Sequence, residues 1–145
     1  MCVLRAAGRD FDVDAFLSTT QWRPSAVHRR GDRRRVQQAS RGELYLDSGF
    51  NLVVSEAAWD DLAGQIADAE VFVDKHTEDL RRLMAAAGLE RAVLDFPVTL
   101  RIGEVVAIQS ERLPISLVRR IARAGLDIEL TIYPPAASSD GGTEA

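Results

Sequence analysis

The sequence predicts a single α+β domain with an antiparallel or mixed sheet of about five to six strands, helices packed on one face, and a ferredoxin-like topology around a long central helix. Three observations predict this class. A helical apolar period spans residues 55–88, strand-like alternation spans 94–102 and 126–133, and 145 residues suffice for one core. We assign residues 1–135 to the domain. The composition of residues 136–145, rich in Ser, Gly and Ala after Pro134 and Pro135, predicts a disordered tail.

The central helix is predicted over the run from Ser55 to Gly88. Ser55 is a suitable N-cap, and Gly88 can adopt the left-handed conformation that ends a helix. A straight helix from Ala57 to Ala87 would be about 46 Å long, which exceeds the width of a small domain, so we expect a break at Lys75–Thr77. Apolar residues recur every three or four positions and predict a buried stripe of Trp59, Leu62, Ile66, Ala69, Val73, His76, Leu80, Leu83 and Ala87.

The remaining elements follow from alternation and from turn or cap residues. In chain order they are a strand over 2–7, a short helix capped by Asp12, a hairpin over 44–54 turning at Asp47-Ser48-Gly49, strands over 94–102 and 104–109, a helix from Pro114 to Gly125, and a strand over 126–133. Pro97 predicts an edge or a bulge, because proline has no N–H for the ladder. The polar sheet face should be open to water or to a partner; it carries Asp95, Thr99, Arg101, Asp127, Glu129, Thr131 and Tyr133.

Arginines concentrate in one aperiodic segment, residues 25–41, which we predict to be a mobile loop. Between residues 21 and 41 there are seven arginines against Asp32 alone, so a chain of net charge -4 carries about -10 elsewhere. Guanidinium groups bind carboxylates and phosphates bidentately, which indicates an anionic partner; charge compensation of an acidic body is the alternative. The predicted partner-binding residues are Arg29, Arg30, Arg33, Arg34 and Arg35 of the loop, with Arg101 and Tyr133 of the open sheet face.

Other classes of function are disfavoured by composition. A sequence pI near 5.2 and the scarcity of aromatic residues argue against nucleic acid. No run approaches a membrane span, no signal peptide precedes the first strand, and Cys2 is the single cysteine, so we expect a cytoplasmic protein. Two histidines and no Cys/His cluster predict neither a metal nor another cofactor.

The pattern also resembles a family of uncharacterised bacterial domains of unknown function, some members of which are described as immunity proteins beside toxin genes. The residues that carry the resemblance are Pro24, Gly31, the run 49–55, Pro114 and the run 125–133, although Phe50 stands where tryptophan is more usual. The resemblance implies an α+β fold and an interaction role, and it transfers no catalytic residue.

Two functions are therefore predicted. The first is a non-catalytic interaction protein of the immunity or adaptor type, which binds an acidic protein surface or a toxin, or self-associates, through the open sheet face and the arginine loop. The second is an enzyme or small-ligand binder with a pocket between the Lys75–Thr77 break and the sheet, where His76 would meet Arg101 or Glu129.

Overall fold

The computed structural model describes residues 1–34, 43–103 and 106–135, and within them it shows one mixed five-stranded sheet and four helices. The strand order is β2-β3-β1-β4-β5; β4 and β5 are parallel and the other neighbours antiparallel. The elements in chain order are β1 (Cys2–Gly8), α1 (Val13–Leu17), β2 (Ala26–His28), β3 (Ser48–Ser55), α2 (Leu62–Lys75), α3 (Thr77–Met84), β4 (Arg91–Thr99), α4 (Ile115–Ala124) and β5 (Asp127–Tyr133). The α+β class and the mixed sheet are confirmed.

One sheet face and residues from all four helices form the core. Leu4 and Leu94 lie opposite each other at the centre of the sheet, and both are fully buried. The opposite face is only partly covered, since Arg5, Asn51 and Val93 remain half-buried. The helices therefore pack on one face, and their core residues are Val13, Phe16, Ile66, Ala69, Val73, Leu80, Leu83, Leu117 and Ile121.

The predicted long central helix is two helices. The break falls at His76, whose φ of -110° and ψ of 24° leave the helical region, and the Thr77 hydroxyl donates to the Val73 carbonyl, as a residue at such a break can. Ser55 does not cap the helix but ends β3, and α2 begins seven residues later, at Leu62, under the cap of Asp61. Ile66, Ala69, Val73, Leu80 and Leu83 of the stripe are buried, and Leu62 and His76 are half-buried. Trp59 and Ala87 lie outside the helices and are exposed.

The structure does not confirm the ferredoxin-like topology, because β4 and β5 run parallel in a sheet that such a topology would make fully antiparallel. The two strands are parallel because the connection between them contains a helix. After β4 ends, α4 carries the chain back along the sheet, so β5 starts at the same end as β4. Pro97 was predicted to mark an edge or a bulge. The pairing of β1 with β4 ends at Val3↔Asp95, two residues before Pro97, so β4 has no β1 partner at Pro97 and the missing proline N–H removes no bond to β1.

The predicted hairpin at Asp47-Ser48-Gly49 is wrong. Residues 48–55 form one continuous strand that includes Gly49. A glycine is needed at this position because a Cβ there would come within 2.4 Å of the Ala6 carbonyl oxygen on β1. The segment predicted to be a loop contains β2, which pairs with β3. Residues 106–109 are not a strand; residues 104–105 of that prediction, and the predicted tail 136–145, lie outside the described residues.

The last helix and strand follow the prediction closely. Pro114 precedes α4, and Gly125 ends it with a left-handed φ of 75°. On β5, however, Leu130 and Ile132 are 39% and 60% exposed, although alternation predicted both to be core. No helix in the described part of the chain is long and apolar enough to cross a membrane.

Candidate functional site

Residues 29–34 and 43–47 pair as a short antiparallel ribbon, which we call the arm. The Gly31 N–H donates to the Tyr45 carbonyl, the Tyr45 N–H to the Asp32 carbonyl, and the Arg34 N–H to the Glu43 carbonyl, each at 2.9 Å. The arm leaves the sheet between the end of β2 and the start of β3. Residues 35–42, and therefore the predicted site residue Arg35, lie outside the described residues.

Two of the predicted arginines fix the arm to the body. The Arg29 guanidinium donates two hydrogen bonds of 2.7 Å to the Asp14 carboxylate of α1, and this bonding lowers the pKa of Asp14. Arg30 lies 3.4 Å from the Asp10 carboxylate and donates its backbone N–H to the Ser48 hydroxyl. The described part of the segment is consequently a paired ribbon in contact with the body, where the sequence predicted an aperiodic loop.

The base of the arm brings charged and aromatic groups together over the open sheet face. His28 Nε2 lies 3.0 Å from the Asp47 carboxylate, and the Tyr45 ring stacks on the His28 ring with centroids 4.2 Å apart. The Arg34 guanidinium lies 5.4 Å from the Tyr45 centroid, and Arg91 of β4 is 3.5 Å from Asp47. These side chains border a cavity of about 610 Å³, and Arg34 and Arg91 both remain substantially exposed beside it.

Large apolar side chains are exposed on the same arm. Leu44 is 49% exposed and Leu46 is 78% exposed, while Arg33 and Arg34 lie on the facing strand of the ribbon and are also exposed. Exposed leucines beside arginines are typical of surfaces that bind other proteins, since interfaces combine apolar anchors with guanidinium contacts.

The other two predicted site residues lie at the opposite end of the sheet. Arg101 forms a 2.7 Å ion pair with Glu111, and Tyr133 stacks on Trp59 with centroids 4.5 Å apart. Eight residue steps of β4 separate Arg91 from Thr99, roughly 26 Å at the rise of a strand. The structure thus divides the predicted set into two groups and does not bring Arg101 and Tyr133 to the arm.

Between the two ends, the open face holds a buried carboxylate. Asp95 is fully buried; its Oδ1 accepts a 2.6 Å hydrogen bond from the Thr131 hydroxyl, and Oδ2 lies 2.5 Å from Arg5 Nη2. The Arg5 contact is close but poorly aligned, so neither Oδ2 nor the buried Arg5 Nε has a well-formed hydrogen bond within the described residues. We assign the Arg5–Asp95–Thr131 group a structural role, because the fully buried Asp95 carboxylate cannot contact a ligand.

In the part of the chain that the structure describes, His76, Arg101 and Glu129 do not converge on one pocket. The His76 ring packs against Trp22 and Phe72, and its Nδ1 accepts a 3.2 Å hydrogen bond from the Trp22 indole N–H. Arg101 is instead paired with Glu111, and Glu129 is exposed on β5. His76 therefore belongs to an aromatic cluster beneath α2, and no group of three or more potential metal ligands occurs among the described residues.

Sequence reasoning missed the residues that give the arm its structure, namely the acids Asp10, Asp14 and Asp47, the ring pair His28–Tyr45, and Arg91. One signal was present: Leu44, Tyr45 and Leu46 form a short strand-like run flanked by Glu43 and Asp47, which could pair with residues 29–34. No family model matches the chain, and no curated protein or solved structure proves significantly similar to it.

Proposed function

We propose that this protein is a non-catalytic protein-interaction domain of the immunity or adaptor type, acting in the cytoplasm, and that its arm binds an acidic surface of another protein. The observation that carries the proposal is the exposure of Leu44 and Leu46 next to Arg33 and Arg34 on a ribbon that is anchored to the body. A reduced thiol such as Cys2 suits that compartment.

The energetics favour a protein over a polyphosphate. Burying a leucine fully against a partner contributes about 1.5–3 kcal/mol, and phosphate backbones offer no apolar surface for that burial. The arm also presents two exposed arginines, Arg33 and Arg34, beside its exposed leucines. An acidic protein surface with apolar side chains complements both features of the arm.

The anchoring itself supports binding. Arg29 and Arg30 hold the arm against α1 before any partner arrives, so less conformational entropy is lost when a partner binds. The arginines that face outward, Arg33 and Arg34, would then act mainly on the rate of encounter with an acidic partner, as exposed charges do.

A second candidate function rests on the cavity at the base of the arm. His28, Arg34 and Arg91 border about 610 Å³ of space, which is within the range of small-molecule sites. In this case the ligand would be a small carboxylate or phosphate, held by the two guanidinium groups while Tyr45 and His28 form an apolar wall.

Differential capture tests the first function. Wild-type protein, an arm variant with Arg33→Gln, Arg34→Gln, Leu44→Ser and Leu46→Ser, and a control variant with Arg119→Gln and Arg123→Gln are immobilised and exposed to nuclease-treated lysate of the native host. We expect one protein to bind the wild type and the control but not the arm variant. Equal retention by all three, or no retained protein, would overturn the proposal.

The two candidates are separated by a titration with small anions. If inorganic phosphate or citrate at millimolar concentration shifts the NMR signals of His28 and Tyr45 saturably, and if Arg91→Gln abolishes the shift, the small-ligand function is favoured. The protein-interaction function predicts no saturable shift with either anion.

A further inference from the structure

At the β5 edge of the sheet, every second residue has no strand partner for its backbone groups among the described residues. Among the described strands, β5 pairs with β4 alone. The Tyr133 carbonyl accepts a 2.7 Å hydrogen bond from the Leu100 N–H, on the β4 side. Because backbone groups alternate sides along a strand, Ile128, Leu130 and Ile132 direct their N–H and C=O groups outward.

This edge has few of the features that normally prevent strand addition, since its charged residues are the two acids Asp127 and Glu129. Edge strands are usually short, or carry lysine, proline or a bulge, yet Asp127–Tyr133 is seven residues long and contains neither basic residues nor proline. Its Leu130 and Ile132 are 39% and 60% exposed. The opposite edge, β2, has only three residues.

We propose that β5 pairs antiparallel with β5 of a second copy of this chain, about a two-fold axis at Leu130, to give a continuous ten-stranded sheet. A two-fold axis perpendicular to the sheet makes the pairing antiparallel and keeps both helix layers on the same side. This site is distinct from the arm, which leaves the sheet beside its other edge.

The sequence of β5 is self-complementary in this register. Leu130 faces its own copy, and Ile128 faces Ile132, so the three outward-directed residues form hydrogen-bonded pairs with six bonds across the axis. On the open face, Glu129 lies opposite Thr131 and Asp127 opposite Tyr133, so no carboxylate faces another. Like charges directly opposite would destabilise a sheet, whereas apolar cross-strand pairs stabilise it.

The start of α4 extends the apolar contact. In a strand–helix–strand crossover, α4 runs antiparallel to β5, which places Ile115 at the same end of the sheet as Ile132. Ile115 is 63% exposed. In the antiparallel dimer this end of one copy meets the Ile128 end of the other, so Ile115 and Ile132 lie beside the second copy.

Cysteine cross-linking tests the register. Hydrogen-bonded antiparallel pairs have Cα atoms about 5.5 Å apart, within the range that a disulfide spans, so Leu130→Cys should form a dimer under mild oxidation. The matched control is Glu129→Cys, whose two copies would lie roughly 8 Å apart in the same register, beyond disulfide reach. Strong cross-linking at 130 and little at 129 is expected; equal cross-linking at both positions, or at neither, would overturn the pairing.

Sedimentation gives an independent measurement on the unmodified chain. Wild-type protein at 100 µM should sediment at about twice the chain mass of 15.9 kDa, and the Ile128, Leu130 and Ile132 amides should gain hydrogen-exchange protection as concentration rises. Leu130→Lys would place the lysines of the two copies opposite each other at the axis, so this variant should be monomeric. Val71→Lys, on the exposed face of α2, should dimerise as the wild type does. A wild type that stays monomeric without concentration-dependent protection would refute the proposal, even if Leu130→Lys failed to fold.

Discussion

The ion pair between Arg5 and Asp95 makes a sharp prediction about stability. Asp95 is completely buried on the open sheet face, and Arg5, whose side chain is 40% exposed, provides the positive charge against it. We consider the substitution Arg5→Met, which keeps an apolar stem of similar length over the carboxylate but removes the charge. Of the partners that the described residues give Asp95, the Thr131 hydroxyl would then remain.

The magnitude follows from the burial of the two partners. Removing one partner of a buried ion pair costs about 3–5 kcal/mol, because it leaves an uncompensated buried charge. Arg5 is partly exposed, so water can approach the site once the guanidinium is gone, and we expect a loss near the lower limit, about 3 kcal/mol. Asp95→Asn in the Arg5→Met background removes that charge while an amide oxygen can still accept from Thr131, and should recover at least half of the loss.

The measurement is urea denaturation at pH 7, followed by circular dichroism, for the wild type, both single variants and the double variant. The cycle should give a coupling free energy of about 1.5–3 kcal/mol between the two residues. If Arg5→Met cost under ~1 kcal/mol, or if Asp95→Asn gave no recovery in that background, the buried carboxylate would not need Arg5 and the reasoning would fail.

Three other predictions concern the core, the thiol and the arm. Leu80→Ala, at a fully buried position of α3, should lower the free energy of unfolding by about 2–5 kcal/mol in the same denaturation assay, and a neutral result would remove α3 from the core. Burial raises the pKa of Cys2 from 9.0 to about 12, so its thiolate fraction at pH 8 should be roughly 1,000-fold lower than in the unfolded chain. Ellman's reagent should therefore react with Cys2 only after denaturation. The contribution of the neutral thiol to the free energy of unfolding is complete below pH 9 and declines above it, because the thiol of the unfolded chain ionises first. Arg29→Gln should raise the pKa of Asp14 back toward its ordinary value in an NMR titration, since the Arg29 hydrogen bond lowers it, and the stability that this bond contributes should be present above about pH 3.8 and decline as the pH falls further.

Elements with local signals were predictable from the sequence. Asp12 caps α1 by accepting from the Ala15 N–H, as predicted, and Phe11 before the cap contacts Phe16 with ring centroids 6.0 Å apart. Gly125 ends α4 as expected. A break in the central helix was also predictable, because a straight helix would have exceeded the width of the domain, and it falls within the predicted Lys75–Thr77 segment.

Features that depend on distant residues were not predictable. The strand at Ala26–His28 has no periodicity of its own and exists because β3 offers a partner edge. Gly49 resembles a turn residue in sequence, yet it lies in a strand. The residue is a glycine because β1 passes too close to leave room for a side chain. Likewise, Arg29 lies near Asp14 only after the arm has folded back on α1, so the sequence showed the arginines without showing their partners.

The same limit applied to the candidate site. Sequence indicated the arginines that the arm presents, but it grouped them with Arg101 and Tyr133, which the fold places at the other end of the sheet. The contribution of Leu44 and Leu46 depends on their exposure, which an alternating pattern does not reveal, since alternation normally predicts that one set of side chains is buried.

The association rate of the captured partner tests most directly whether the arm is a binding surface for an acidic protein. It is measured by stopped flow or biolayer interferometry between 50 and 500 mM NaCl, for the wild type, for Arg33→Gln with Arg34→Gln, and for the Arg119→Gln, Arg123→Gln control. We predict that the rate of the wild type and of the control falls at least tenfold over this range, and that the arm variant associates at least tenfold more slowly at 50 mM with a flatter salt dependence. An arm variant whose rate and salt dependence match those of the wild type would contradict the assignment.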